Sequence, residues 1–367
     1  MKIKFYNYPK LYEKNISKYI INNLKEGEFI LGKEIFRLED NLKKYLNVKD
    51  VITCGNATSA LEIGLINLNL PKNSEIIVPS HTFIATINSI ISAGHIPVVA
   101  DINEYGLLDV KKVRNYINKK TKAIICVNLN GMICEMKEVL KICNEKKLYL
   151  IEESAQGFGA EYDNKKSGSF GIFAVFSFYP TKILGGYGDG GCLVTNDKKL
   201  GRKIRAFANH GRFKGSVISN GTNSRLDNVQ AVILNKKLIN INNVIKHRRK
   251  SAEKYYQELK NNKNIYFPFK EREKKNKYKD VFQNFEVLVK KRDKLKYFLI
   301  KNNIETQIQW NRKPVNKINL KKIKVRNSFS GTRRYFDECL CLPIGHHINM
   351  THIKKISLKI NEFYKKN

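Results

Sequence analysis

No apolar stretch of the 367-residue chain reaches the roughly 18 uninterrupted residues that a membrane-spanning helix needs. No charged-then-apolar leader precedes FYNYPKLYEK at the N-terminus, so the expectation is a cytoplasmic protein without a membrane partner. The seven cysteines, at 54, 126, 134, 143, 192, 339 and 341, form no CxxC pair, and their number is odd. They fit reduced thiols that fill strands and helices better than a zinc site or a disulfide framework, and no metal is expected. Acidic residues are few, 33 against 68 lysines and arginines, which leaves a formal charge of +35. That balance suggests a polyanion, because clustered Lys and Arg neutralise phosphates. However, the lysines are spread along the chain among abundant Asn and Ile, and the densest runs, 271–280 and 319–327, lack the interleaved aromatic platforms of single-strand binders. Nucleic acid is therefore not expected as a partner. There is no internal repeat, and no low-complexity linker beyond the lysine-rich stretch near 270.

Alternation is what the chain does have. With 42% hydrophobic residues it can bury a large core. Short apolar runs at 50–54 (DVITC), 75–79 (EIIVP), 96–101 (IPVVAD), 122–127 (KAIICV) and 147–152 (KLYLIE) have strand length. Helix-length segments such as TSALEIGLINL and TFIATINSIISAG lie between several of them. Strands alternating with helices predict an α/β fold, a mainly parallel central sheet covered by helices. Past residue 245 the pattern changes to a long basic helical stretch, then mixed strands and a final helix. This predicts a large domain over 1–245, including an N-terminal arm, and a smaller C-terminal α/β domain over 246–367. Ligands of such sheets sit beyond the carboxyl ends of the strands. The residues to inspect are therefore Gly55-Asn56-Ala57-Thr58, Ser80-His81-Thr82-Phe83, Asn128-Leu129-Asn130-Gly131 and Glu153-Ser154-Ala155-Gln156.

The stretch SFYPTKILGGYGDGG, 177–191, sets Lys182 between a short aromatic strand and a glycine-rich turn. A solvated lysine holds its proton up to a pKa of roughly 10.4 and is not nucleophilic, and most lysines in so basic a chain are of that kind. A lysine in a partly desolvated pocket can instead deprotonate and form a Schiff base with an aldehyde cofactor. A pyridoxal phosphate site needs that lysine, a carboxylate on the pyridine nitrogen, donors around the phosphate and a flat partner for the ring. Glu153, just past an apolar run, is the candidate carboxylate. Ala57 and Thr58 begin a helix, whose free N–H groups and dipole suit a phosphate. Ser177 can add a hydroxyl, and Phe83 a ring face. Taken singly, each residue has an ordinary structural explanation; the argument rests on finding them together.

The order of these pieces resembles the DegT/DnrJ/EryC1/StrS aminotransferases, fold-type-I pyridoxal phosphate enzymes that aminate keto sugars on nucleotide carriers. The resemblance runs from GEFILGKEIFRLEDNLKKYL (27–46) through CGNATSALEIGL, VPSHTFIATINSI, TKAIICVNLNG, LIEESAQGFGA, the Lys182 stretch and FANHGRF to GTNSRLDNVQAVIL (221–234). It returns weakly at CLPIGHHINMT, 341–351. It implies Lys182 as the attachment lysine, Glu153 at the pyridine nitrogen, Phe83 stacked on the ring, Gln156 near the phenolic oxygen, and Ala57, Thr58 and Ser177 at the phosphate. It also implies a homodimer in which Asn223 reaches the neighbouring subunit's phosphate, and Tyr179 and His210 in the sugar pocket.

Three positions depart from the family's usual pattern: Glu153 stands where Asp is usual, Ala57 where Gly is usual, and Asn128 where His is frequent. Glu is one methylene longer than Asp, so ring or strand must shift slightly. Ala57 keeps its N–H, provided its dihedrals are open to residues other than glycine. Lys182 argues against the dehydratase branch, which carries His there, and against a non-catalytic relative of the same fold. The segment NSRLD, 223–227, resembles the branch that aminates C3 of 3-keto-6-deoxy sugars. The implied substrates are a nucleotide-diphosphate keto sugar, on dTDP first, and L-glutamate. The alternative is a C4 aminotransferase acting on a UDP- or GDP-linked 4-keto sugar. A positive surface also suits a nucleotide diphosphate.

Overall fold

The computed structural model describes residues 2–319, 322–325 and 329–366. The five apolar runs form strands β1 (Asp50–Cys54), β2 (Glu75–Pro79), β3 (Ile96–Ala100), β4 (Thr121–Val127) and β5 (Tyr149–Glu153). They are joined in the same sheet by β6 (Phe173–Ser177), β7 (Gly191–Thr195) and a two-residue edge strand, β8 (Lys324–Val325). The order across the sheet is β1-β7-β6-β5-β4-β2-β3-β8. Only β7 runs against its neighbours; every other adjacent pair is parallel. Strands β2 and β7 are buried along their whole length, as expected where helices cover both faces, and this explains why they read as continuous apolar runs and not as alternating ones.

Helix α1 (Ser17–Glu26) and helix α2 (Lys33–Leu46) precede the sheet; α3 (Ala57–Asn67) follows β1, α4 (Ile84–Ser92) follows β2 and α5 (Met136–Lys146) follows β4. Helices α6 (Lys198–Ala208), α7 (Asn228–Leu238) and α8 (Ile241–Leu259) follow β7. The start of α3 lies hard against β7: a Cβ on Gly191 would stand 2.5 Å from the Ala57 nitrogen, so only glycine lets this strand meet the helix there.

A second core surrounds a small antiparallel sheet of Ile265–Tyr266, Phe285–Val289 and Cys339–Leu342. Leu295, Leu299, Ile353, Ile356 and Ile360 pack there from helices Arg292–Lys301 and Met350–Lys366. The two cores are laced together. Helix α8 puts Ile241 and Ile245 into the first and Ala252, Tyr255 and Leu259 into the second, so the 245/246 boundary read from the sequence falls inside one continuous helix. Val281 packs in the first core and its neighbour Phe282 in the second.

Of the two basic runs, 271–280 is mostly exposed but is anchored in the fold at Arg272, Tyr278 and Asp280. Arg272 is fully buried, paired with Asp280 at 3.2 Å and donating to the Ile133 carbonyl at 2.7 Å. The second run, 319–327, lies partly outside the described residues, and its Lys324 pairs with buried Glu75 at 2.6 Å. All seven cysteines are buried and unbridged. Among the described residues no helix is long and apolar enough to cross a membrane, and no three His, Cys, Asp or Glu cluster as metal ligands.

Candidate active site

The carboxyl ends of β1, β2, β4, β5 and β6 open onto one cavity of about 540 Å³. Asn56, Ala57 and Thr58 enter it after β1, Phe83 and Thr86 after β2, and Leu129 after β4. Glu153, Ala155 and Gln156 come from the end of β5 and its following turn, and Ser177, Tyr179, Thr181 and Lys182 from β6 onward. Of the residues picked out from the sequence, the cavity thus gathers Ala57, Thr58, Phe83, Glu153, Gln156, Ser177, Tyr179 and Lys182. Two are left outside its wall. His210 is exposed, with a left-handed backbone (φ 59°) and its N–H on the Thr222 carbonyl at 2.9 Å. Asn223 is exposed too, its Oδ1 accepting from Arg225 Nε at 3.0 Å.

Each cavity residue has a local reason for its place. Glu153 is the last residue of β5, not the first beyond it, because its strand bonds reach both Val127 and Val175 registers. Side chains alternate along a strand, so the two successive carboxylates separate. Glu152 turns into the core, where its oxygens accept from the amides of Gly168 (2.8 Å), Phe170 (2.8 Å) and Gly171 (3.1 Å). Glu153 faces the cavity, with one oxygen on the Ala155 amide at 3.1 Å. Asn128 belongs to the Glu152 side: it is fully buried, its Nδ2 near Ser154 Oγ (2.9 Å), Ser167 Oγ (3.0 Å) and Glu152 (3.2 Å). At this position an amide serves the core and not the cavity.

At the start of α3, Asn56 caps the helix: its side chain accepts from Ser59 N (2.8 Å) and its carbonyl from Ala60 N (3.1 Å). Among the described residues, no acceptor is paired with the amides of Ala57 and Thr58, which sit at the cavity wall. Two unpaired N–H groups at a helix N-terminus form an anion site, and Ser177 Oγ lines the same wall. Gln156 accepts from Asn130 N (2.8 Å) and Asn284 Nδ2 (3.3 Å) through Oε1, which leaves its Nε2 hydrogens for a ligand. Phe83, 52% exposed, caps α4 and presents its ring at the mouth.

Electrostatics complete the arrangement. Burial pushes the Lys182 amine below the ordinary lysine range, partly opposed by the Glu153 carboxylate; burial likewise pushes Glu153 up, opposed by Lys182 and the Ala155 amide. A lowered lysine pKa is what nucleophilic attack on an aldehyde requires. The residues therefore fit pyridoxal phosphate: an amine moved toward neutrality, a carboxylate facing it across the cavity, and anion donors at one end.

This electrostatic pairing makes a pH prediction. The rate at which pyridoxal phosphate attaches to Lys182 should rise with pH and level off below the ordinary lysine value of 10.5. In Glu153→Gln the charge that holds the ammonium is gone, so the midpoint should move lower still. Stopped-flow absorbance across pH tests this, and a midpoint at or above the ordinary value refutes it.

Sequence reasoning missed the distal wall. Tyr6 and Tyr8 from the N-terminal arm, Trp310 from the second half and Asp189 from the glycine-rich turn all line the cavity. The neighbouring Tyr179 hydroxyl, with burial, raises the Tyr8 pKa. Trp310 stands 6.4 Å from Phe83, ring to ring. The aromatic FYNY opening was the one available local signal.

Fold and site together fit a pyridoxal phosphate enzyme, with a cavity at the carboxyl edge of a mainly parallel sheet and a lysine in its wall. A model of the DegT/DnrJ/EryC1/StrS aminotransferase family matches residues 10–361. The chain is 34% identical over 355 residues, 96% of each protein, to a dTDP-3-amino-3,6-dideoxy-alpha-D-galactopyranose transaminase of Aneurinibacillus thermoaerophilus. It is also 36% identical to a pleiotropic regulatory protein of Geobacillus stearothermophilus, over 78% of this chain and 77% of that one. The crystal structure of S. venezuelae DesV superposes with a TM-score of 0.92 at 28% identity, covering 99% of this chain and 98% of the other. Further relatives are named for UDP- and GDP-linked sugars. The chain belongs to the DegT/DnrJ/EryC1/StrS aminotransferase family. It is a pyridoxal phosphate-dependent nucleotide-sugar aminotransferase.

Proposed function

We propose that this enzyme moves an amino group from L-glutamate to C3 of a nucleotide-linked 3-keto-6-deoxyhexose, with dTDP as the carrier, and works as a cytoplasmic homodimer. The chief support is the dTDP-3-amino-3,6-dideoxyhexose transaminase that matches this chain over 96% of both lengths. The C4 reading on UDP- or GDP-4-keto sugars draws on a GDP-perosamine synthase of Vibrio cholerae, 35% identical over 62% of this chain. Incubation with L-glutamate and a panel of dTDP-, UDP- and GDP-linked 3-keto and 4-keto sugars, with mass and NMR analysis of the product, decides. Amination at C4 only overturns the proposal.

In this reading the cofactor, when bound, carries the amino group from donor to acceptor and takes up the electron pair left at carbon. Lys182 Nζ would carry the cofactor between turnovers, and then move the proton to and from the reacting carbon. Glu153 would keep its charge beside the pyridine nitrogen, while Ala57 N–H, Thr58 N–H and Ser177 Oγ would hold the phosphate. Gln156 Nε2 would orient the ring, and Phe83 would cover one face. Tyr179 would meet the sugar, with His210 outside this chain's cavity wall.

The homodimer would complete the site through Asn223, which this chain leaves exposed. An apolar run beside it, Phe29 (56% exposed), Ile30 (44%), Leu31 (42%) and Phe36 (54%), suits burial against a second copy. Ile30 bridges Asp227, four residues on from Asn223, which sets this surface beside that segment. Mixing Lys182→Ala chains with Asn223→Ala chains should restore activity through one intact site per heterodimer. Full activity in a monomer, or no restoration after confirmed subunit exchange, ends the idea.

A further inference from the structure

Lys182 lies in a bend beyond the end of β6, outside regular secondary structure, so its strand does not fix its backbone. One turn bond, Lys182 N to Tyr179 O at 2.9 Å, closes the bend. The peptides on either side are gripped by a single side chain a hundred residues away. Gln283 Nε2 donates to the Thr181 carbonyl at 2.9 Å, and Gln283 Oε1 accepts from Ile183 N at 2.9 Å. A carbonyl only accepts and an amide N–H only donates, so the amide can stand only one way round. Gln283 is 4% exposed and does not itself line the cavity, although Thr181, which it holds, does.

Gln283 is itself held. Arg248 of α8, 7% exposed, donates from Nη1 to the carbonyls of Phe282 (2.8 Å) and Gln283 (3.1 Å). Among the described residues it pairs with no carboxylate, and burial pushes its pKa down to about 10. A buried guanidinium bound to two main-chain carbonyls is an arrangement that fixes backbone. Here the backbone is Phe282, whose left-handed φ of 54° turns the Gln283 side chain toward Lys182. The residues on either side are tied to the same site. Val281 N donates to Gly131 O at 3.0 Å, and Asn284 Nδ2 reaches Asn130 Oδ1 (3.1 Å) and Gln156 Oε1 (3.3 Å). The cradle is tight: a Cβ on Gly131 would stand 2.7 Å from Phe282 N.

We propose that Gln283 is the positioning residue of Lys182, clamping the peptides before and after it so that the amine meets its target in one place, with Arg248 as the buttress of the clamp. This rests on the reading of Lys182 as the attachment residue. A nucleophile displaced by about 1 Å can lose on the order of 10²-fold in rate, so loosening the clamp should slow covalent capture without abolishing binding at the phosphate end. A merely structural role for Gln283 would lower thermal stability and leave the chemistry of folded molecules unchanged.

The test compares the wild type, Gln283→Leu, Gln283→Glu and Arg248→Lys as full-length apoproteins, with thermal melting to establish the folded fraction. Attachment of pyridoxal phosphate to Lys182 is followed by its visible absorbance across pH. Per folded molecule, Gln283→Leu should attach at least about tenfold more slowly. The midpoint of its rate–pH profile should move up toward that of an ordinary lysine as water reaches the loosened loop. Gln283→Glu keeps the acceptor for Ile183 N but loses the donor to Thr181 O at neutral pH, so it should fall between the two and serves if the Leu variant does not fold. Arg248→Lys should shift in the same direction by less. In turnover, kcat should fall while KM for the sugar stays within about threefold. Attachment rates and midpoints equal to wild type in folded Gln283 variants overturn the proposal. Attachment at the wild-type rate in a parallel Lys182→Ala control would instead overturn the assignment of Lys182, a separate and distinguishable failure.

Discussion

Replacing Lys182 with alanine is expected to abolish turnover, on the order of 10⁴-fold or more, because in the proposed reading one amine has two jobs whose losses compound. As a nucleophile it would hold the cofactor covalently. As a base it would move the proton at the reacting carbon, and among the described residues no other lysine lines the cavity to replace it. Ala57 and Thr58 amides and Ser177 remain, so the variant should still take up pyridoxal phosphate, though dialysis should strip it faster. Glutamate consumption and oxoglutarate release in a coupled assay measure the loss. Near wild-type turnover would place the attachment residue elsewhere.

The second large effect is expected at Glu153. An opposite charge within a few ångströms shifts a titrating partner by roughly 1–3 pKa units, so removing it should weaken protonation of the pyridine nitrogen by roughly 10- to 1,000-fold. Glu153→Gln keeps shape and hydrogen-bonding capacity, including an acceptor for the Ala155 amide, and removes only the charge. We therefore expect kcat to fall by that factor, with cofactor affinity changing far less. Glu153→Asp keeps the charge, shortens the reach by one methylene and should be milder. An unchanged kcat in Glu153→Gln would show that this carboxylate does not serve the ring.

The sheet was legible in the sequence because buried parallel strands are continuous apolar runs, and each of the five so identified is a strand to within two residues at either end. Most of the cavity was legible for a related reason: its residues follow those strands directly, so finding DVITC also finds Ala57 and Thr58. The rest lacked a local signal. Strand β8 is two residues long inside a basic run, and its pairing with β3 depends on tertiary context alone. Tyr6, Tyr8 and Trp310 reach the cavity from distant parts of the chain, and no periodicity marks an aromatic that closes a wall. Glu152 and Glu153 looked interchangeable as letters, and the strand's pleat separates them. His210 and Asn223 show the converse, motif residues that this chain's own cavity does not use.

The lacing of the two cores has a consequence for how this enzyme can be divided. A fragment ending at 245 would retain Lys182, Glu153 and the phosphate-end amides. It would lose Trp310 from the wall, Asn284 from Gln156, and β8 from the edge of β3. It would also sever α8 between the residues it gives to one core and those it gives to the other. The cavity residues are therefore not a portable cassette. Grafts, split-protein reporters and chimaeras with relatives should keep 246–366 from the same parent as the first half, and exchange should be confined to exposed segments that neither core engages.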